Sequence, residues 1–117
     1  MSISRNKNEI VDLATIFTSP IRVAIIEQLL AGTCIVGDLV QALQMEQAVV
    51  SKQLGVLRSA GLLDCEPNGR CRSYSLSNPE LMKLLFSILK DAAQKAAEHL
   101  TSLENADSDN QTPIKDV

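Results

Sequence analysis

Three groups of side chains could do chemistry in this 117-residue sequence. They are the thiols Cys34, Cys65 and Cys71, a run of amide, hydroxyl and ammonium groups at Gln47, Ser51, Lys52 and Gln53, and the guanidinium groups of Arg70 and Arg72. Thiols can be oxidised, bridged or occupied by soft ions. The second group offers an amide that can read adenine, a hydroxyl for base or phosphate, and a cation that neutralises phosphate. Nucleophilic catalysis would need a cysteine with a histidine base and an oxyanion loop. The single histidine, His99, stands far along the chain from every cysteine, and no Gly-rich loop accompanies it, so an enzyme is not expected.

The elements that must carry these groups are mainly helical. A chain of this length has room for one domain and one core. Hydrophobic residues make up 45% and aromatics only 3%, with no Trp, so the core has to be aliphatic. No apolar run approaches the ~20 residues that cross a bilayer, and the first ten residues lack the apolar stretch of a signal peptide. A cytoplasmic protein with no membrane partner is expected. An odd number of cysteines in such a setting argues for reduced thiols. The net charge of −3 is concentrated at the C-terminus, where Glu104, Asp107, Asp109 and Asp116 face only Lys115. The preceding residues are neutral overall, so an acidic total does not exclude a polyanionic partner. Residues 1–103 therefore read as the domain and 104–117 as a disordered acidic tail.

Periodicity locates the helices. Ile10, Leu13, Ala14 and Phe17 form one face of a first helix that stops before Ser19-Pro20, an N-cap followed by a favoured first residue. A second helix, apolar nearly all round, runs from there to Gly32. The segment Thr33 to Val36 reads as a short edge strand, and a short helix with Asp38 in its first turn follows. After a turn at Gln44-Met45, a helix over 46–60 buries Val49, Val50, Leu54 and Leu57, leaves Gln47, Ser51, Lys52, Gln53 and Arg58 outward, and is closed by Gly61. A last helix, from Asn78-Pro79 to about Leu103, carries a leucine-rich stripe too long for one small core, so part of it should pack on a second copy.

Between these helices, residues 62–76 form two β-capable runs around Pro67-Asn68-Gly69. Proline has no N–H for the closing pair of an Asn68-Gly69 loop. A three-residue loop with a bulge at Gly69 fits the residue preferences and pairs Glu66 with Arg70 and Cys65 with Cys71. The two thiols would then stand opposite one another, on strand positions ~4.5–5.5 Å apart, within the range for a disulfide. In that register Arg70 and Arg72 could pair with Glu66 and Asp64 across the hairpin, or reach a DNA backbone.

The order is that of a winged helix-turn-helix, mainly α with a small β wing (α+β). Its residues VGDLVQALQMEQAVVSKQLGVLRSAGLL, followed by NGRCRSYSL, closely resemble the ArsR/SmtB family of bacterial sensor-repressors, and SPIRVAIIEQLL resembles that family's second helix. The resemblance spans roughly residues 8–103. It implies a homodimer, joined through the first and last helices, that binds an inverted repeat in double-stranded operator DNA and is released by an inducer. It places Gln47, Ala48, Ser51, Lys52 and Gln53 in the major groove and Arg70 and Arg72 on the flanking backbone or in an adjacent minor groove. Ala48 and Val49 stand where the family often has hydroxyl residues.

The family's metal sites match this sequence less well. Its Cys-x-Cys pair before the Asp corresponds to Ile35 and Gly37, with Cys34 one position early, and its last-helix zinc site would have only His99, beside Asp91 and Glu98 at unsuitable spacing. No cofactor is then required. Sensing falls to Cys65, Cys71 and Cys34, by oxidation, reactive sulfur, or capture of a soft metal or metalloid such as arsenite on three thiolates. The alternatives are a constitutive regulator with inert cysteines and a winged helix used for protein contact.

Overall fold

The computed structural model describes the backbone of residues 2–109 and the side chains of residues 9–105. Its contacts divide the chain into two units, 1–79 and 80–117. The first contains helices α1 (Ser2–Ile16), α2 (Pro20–Leu30), α3 (Val36–Leu43) and α4 (Gln47–Ser59), with strands β1 (Cys34–Ile35), β2 (Leu63–Asn68) and β3 (Cys71–Leu76). The second is the helix α5 (Pro79–Asp109).

Local chemistry accounts for the helix ends. Ser19 caps α2 by accepting the amide of Arg22 at 3.3 Å, and Pro20 fills the first helical position, where no N–H is needed. Asp38 accepts the amide of Ile35 at 3.1 Å at the start of α3. The turn between α3 and α4 is made by Gln44 in a left-handed conformation, φ 53°. At the end of α4, Leu62 N–H reaches Leu57 O at 3.1 Å and Gly61 N–H reaches Arg58 O at 2.9 Å. This double closure is a Schellman motif, and it requires the positive φ of 81° that Gly61 supplies.

The core of the first unit is aliphatic, as the composition demands. Ile25, Ile26, Leu39, Val50, Leu54 and Leu57 are fully enclosed, joined by Ile16, Leu29, Leu63 and Leu76. These residues come from all four helices and from the base of the hairpin, so α4 is fixed by its inner face while its outer face stays exposed. Val49 is a correction: it is 36% exposed, because it lies at the edge of the buried stripe formed by Val50, Leu54 and Leu57.

The sheet is antiparallel in the order β1-β3-β2, with Cys34 opposite Tyr74 and Ile35 opposite Ser73. The hairpin register differs from the expectation. Asn68 pairs with Cys71, Pro67 with Arg72, Glu66 with Ser73 and Cys65 with Tyr74, leaving a two-residue loop of Gly69 and Arg70. Positive φ falls on Gly69 alone, at 63°, as a type II′ turn requires of its first central residue. Proline is accommodated because the loop starts one residue later than Asn68. Asn68 and Cys71 become the hydrogen-bonded pair, so Pro67 falls in the next, non-bonded pair of an outer strand, where a ladder donor is not needed.

The register parts the two wing cysteines. Because faces alternate along a strand, Cys65 lies on the face of Leu63, Arg72, Tyr74 and Leu76, and Cys71 lies on the opposite face with Glu66, Asn68 and Ser73. The Cys65–Cys71 opposition is therefore incorrect, and so is a cross-hairpin pairing of Arg72 with Asp64. Asp64 instead accepts the hydroxyl of Ser77 at 3.1 Å.

In the second unit α5 is continuous for 31 residues and passes the expected boundary at Leu103 to end at Asp109. The rest of the acidic tail, 110–117, lies outside the described residues. No helix among the described residues is long and apolar enough to cross a membrane.

Candidate nucleic-acid interface

Helix α4 presents an exposed face of Gln47, Ala48, Ser51 and Lys52, all in its first two turns. Burial of Val50, Leu54 and Leu57 on the other side is what turns these residues outward. The face carries amide, hydroxyl and ammonium groups around one small apolar residue. Such a surface can enter a major groove, where amides and hydroxyls read base edges and an ammonium meets phosphate.

The wing supplies cations next to it. Arg70 occupies the loop and Arg72 the adjoining strand, both exposed. With Gln47 and the first residues of α3 they line a groove of about 450 Å³, whose walls are Ile35, Val36, Gly37, Gln47, Arg70, Cys71, Arg72 and Tyr74. The fold thus brings the start of α4 and the wing arginines, some twenty residues apart in sequence, to one open depression.

Gln53 is placed differently from its neighbours. It is half-buried, and its side-chain oxygen accepts from the Arg22 Nη1 of α2 at 3.0 Å. Bidentate reading of adenine uses both the oxygen and the nitrogen of an amide. With one lone pair of its oxygen on Arg22 and its side chain half-buried, Gln53 is less open to a groove than Gln47, Ser51 and Lys52.

The cysteines fall in three environments. Cys65 is half-buried, with Arg72 Nη1 donating to its sulfur at 3.7 Å and Tyr74 facing it in register. Burial disfavours its thiolate, but hydrogen bonds from Arg72 and Tyr74 and the charges of Arg58 and Arg72 outweigh this, and its pKa falls below the ordinary thiol value. Burial, with the nearby Asp38 carboxylate, pushes the Cys34 thiol up. Cys71 is exposed on the other sheet face.

Cys34 and Cys65 share a face but flank Tyr74, two strand spacings apart, or roughly 9–10 Å between backbones. A site of three thiolates on one ion does not fit this arrangement. Among the described residues no group of three His, Cys, Asp or Glu side chains could hold a metal.

Two contributors escaped the sequence reading. Tyr74 stands between Cys34 and Cys65, and Arg22 links α2 to α4. The signal for Arg22 was the single cation of the mostly apolar stretch SPIRVAIIEQLL. Tyr74 could be placed only once the strand register was known.

Comparison with known proteins agrees with this geometry. Residues 19–64 match the family described as bacterial regulatory protein, arsR family. The chain is 42% identical over 82 residues to the HTH-type transcriptional regulator NmtR of Mycobacterium tuberculosis, covering 70% of this chain and 64% of NmtR, so it spans just under two thirds of that relative. It is 32% identical over 87 residues to the uncharacterised HTH-type transcriptional regulator Rv0081 of the same organism, covering 74% of this chain and 76% of the relative. The crystal structure of Rv0081 superposes with a TM-score of 0.66 at 28% identity, over 84% of this chain and 95% of that one. The transcriptional repressor BigR from Xylella fastidiosa superposes with a TM-score of 0.61 at 29% identity, over 74% and 92%. The helix-turn-helix, the wing and these likenesses agree: the chain belongs to the ArsR family of bacterial regulatory proteins, a family of winged helix-turn-helix transcriptional regulators and not of enzymes.

Proposed function

We propose that this chain is a cytoplasmic repressor that binds an inverted repeat in operator DNA as a homodimer and is released by thiol chemistry at Cys65. The observation that carries the reading is the groove uniting Gln47 with Arg70 and Arg72 beside the exposed face of α4. Gln47, Ala48, Ser51 and Lys52 enter the major groove, and the wing arginines follow the backbone. Apolar residues left in solvent on α1 (Ile10, Val11, Leu13) and on α5 (Leu84, Ile88, Leu100) supply the surface for a second copy.

The inducer is an oxidant or a reactive sulfur species. A hydroperoxide, for example, would transfer one oxygen to the Cys65 thiolate, giving a sulfenate as its O–O bond breaks, and would leave as the alcohol once protonated. Arg72 bridges that thiol and the DNA surface, so modification at Cys65 alters a cation that the complex needs. Cys71, on the other face, and Cys34, with its raised pKa, are secondary targets.

The test is titration of the protein against a duplex selected by it from a random pool, at several salt concentrations, before and after treatment with peroxide, polysulfide or arsenite. Affinity should fall steeply with salt, as it does for a protein that neutralises several phosphates. Cys65→Ser should bind like the parent and ignore the inducer, while Cys71→Ser should still be released. A protein with no salt-dependent affinity for any duplex would refute repression through DNA. Release of Cys65→Ser by the same reagent would refute the thiol mechanism alone.

A further inference from the structure

We infer that Arg22 is a positioning residue for DNA recognition: it braces the recognition helix α4 against the end of α1 by engaging each of its three guanidinium nitrogens with an acceptor. Nε donates to Ile16 O at 2.8 Å, Nη2 to Thr15 O at 3.1 Å, and Nη1 to the Gln53 side-chain oxygen at 3.0 Å. The first two acceptors are carbonyls of the last turn of α1, where a cation is favoured by the helix dipole; Thr15 O also accepts the Thr18 amide at 3.1 Å and the Thr18 hydroxyl at 2.6 Å. The third lies midway along α4. One planar group therefore ties the end of one helix to the middle of a second.

The backbone of Arg22 is itself anchored. Its amide is the one that Ser19 accepts at the α2 N-cap, so the side chain projects from a fixed turn. Only a guanidinium suits the task, because its N–H groups leave a rigid plane in several directions, while an ammonium radiates from one point. Arg22 and Gln53 are both half-buried; the bonds to Ile16 O and Gln53 are partly shielded from water, and the bond to Thr15 O is exposed.

The inference rests on the proposed reading of α4 as the DNA-reading helix and α1 as part of the dimer contact. On that reading the brace ties the surface that sets the spacing of two copies to the helix that must fit the groove. Gln53 acts through Arg22 and not as a base reader.

The experiment compares Arg22→Met, Gln53→Leu, their double variant and Gln53→Glu with the parent. It measures affinity for the selected duplex and for a scrambled one, the salt slope, thermal stability, and exchange of the Arg22 Nε–H with water by NMR in the DNA-free protein. Expected are a loss of about tenfold in the preference for the selected duplex in each single variant, corresponding to ~1.4 kcal/mol, no further loss in the double variant, and an unchanged salt slope. Gln53→Glu keeps an acceptor for Arg22 and should retain the preference. Its Arg22 Nε–H should exchange as slowly as the parent's, while Gln53→Leu speeds it.

If Gln53→Leu changes the preferred base at one position and Arg22→Met does not, Gln53 reads DNA directly and the inference fails. It fails equally if the single effects add, if the loss of preference only tracks thermal stability, or if the parent's Nε–H exchanges as fast as an exposed arginine's. A parent with a slow Nε–H but no preference for any duplex would overturn the DNA reading, and with it the positioning role, while leaving the three-way bond itself intact.

Discussion

Cys65 shows how much one neighbouring side chain sets the chemistry of another. Its sulfur has an arginine 3.7 Å away and a second one, Arg58, near enough for its charge to matter, and together with the hydrogen bonds these favour thiolate over the effect of burial. The thiolate is the nucleophile, so the alkylation rate of Cys65 should reach half its plateau at a lower pH than an ordinary thiol. Arg72→Met removes both a hydrogen bond and a charge, so the half-plateau pH must move upward and the rate at neutral pH must drop several-fold. Iodoacetamide labelling followed by peptide mass spectrometry gives both curves. An unchanged profile in Arg72→Met would mean that Arg72 does not tune the thiol. The same reagents should find Cys34 slow at neutral pH, since burial and Asp38 both work against its thiolate.

At the scale of elements, α4 is set by its end and by its one inner glycine. Gly61 sits at φ 81° in the Schellman closure, so Gly61→Ala should cost about 1 kcal/mol although a Cβ there would meet nothing within 4 Å. Gly55 lies inside the helix with open space around it, and Gly55→Ala should stabilise by about 0.5–1 kcal/mol. Urea titrations with equal slopes would display the opposite shifts in midpoint. The stop at Gly61 was plain in the sequence, as were the Ser19-Pro20 start of α2, the Gln44-Met45 turn and the span of α4, because helix signals act over three or four residues. The hairpin register was not. It depended on whether Pro67 fell in a bonded or a non-bonded pair, and a one-residue change in loop position decided that. The exposed face of Gln47, Ser51 and Lys52 was legible from period alone, whereas the turning of Gln53 toward Arg22 required knowing which helix packs beside α4. The cysteine arrangement inherited the error in register, so the disulfide and the three-thiolate site fell together.

For the whole molecule the open question is what covers its apolar surface. Ile10, Val11 and Leu13 on α1, and Leu81, Leu84, Ile88, Leu89, Leu100 and Leu103 on α5, are each 45–69% exposed in the single chain. Solitary exposed leucines are ordinary, but three large apolar residues exposed on α1 and six on α5 give each of these helices an apolar face, which on the proposed reading meets a second copy. Burying each fully would contribute roughly 1.5–3 kcal/mol less what it already gains in the isolated chain, enough in sum to offset the entropy lost on association. An isologous pair would place two recognition helices under one twofold axis, matching an inverted repeat. Replacing Leu84 and Ile88 together by Glu sets charges on the apolar face of α5 and changes no residue of α4 or the wing. Sedimentation should then report a monomer with helical content close to the parent's. Binding to a half-site should survive at the lower affinity of one recognition helix, while the advantage of the full repeat over the half-site, set in the parent by linking the two helices, should disappear. A double variant that still sediments as a dimer would place the contact elsewhere on the chain. One that sediments as a monomer yet keeps the full-repeat advantage would mean that the repeat is read without a preformed pair.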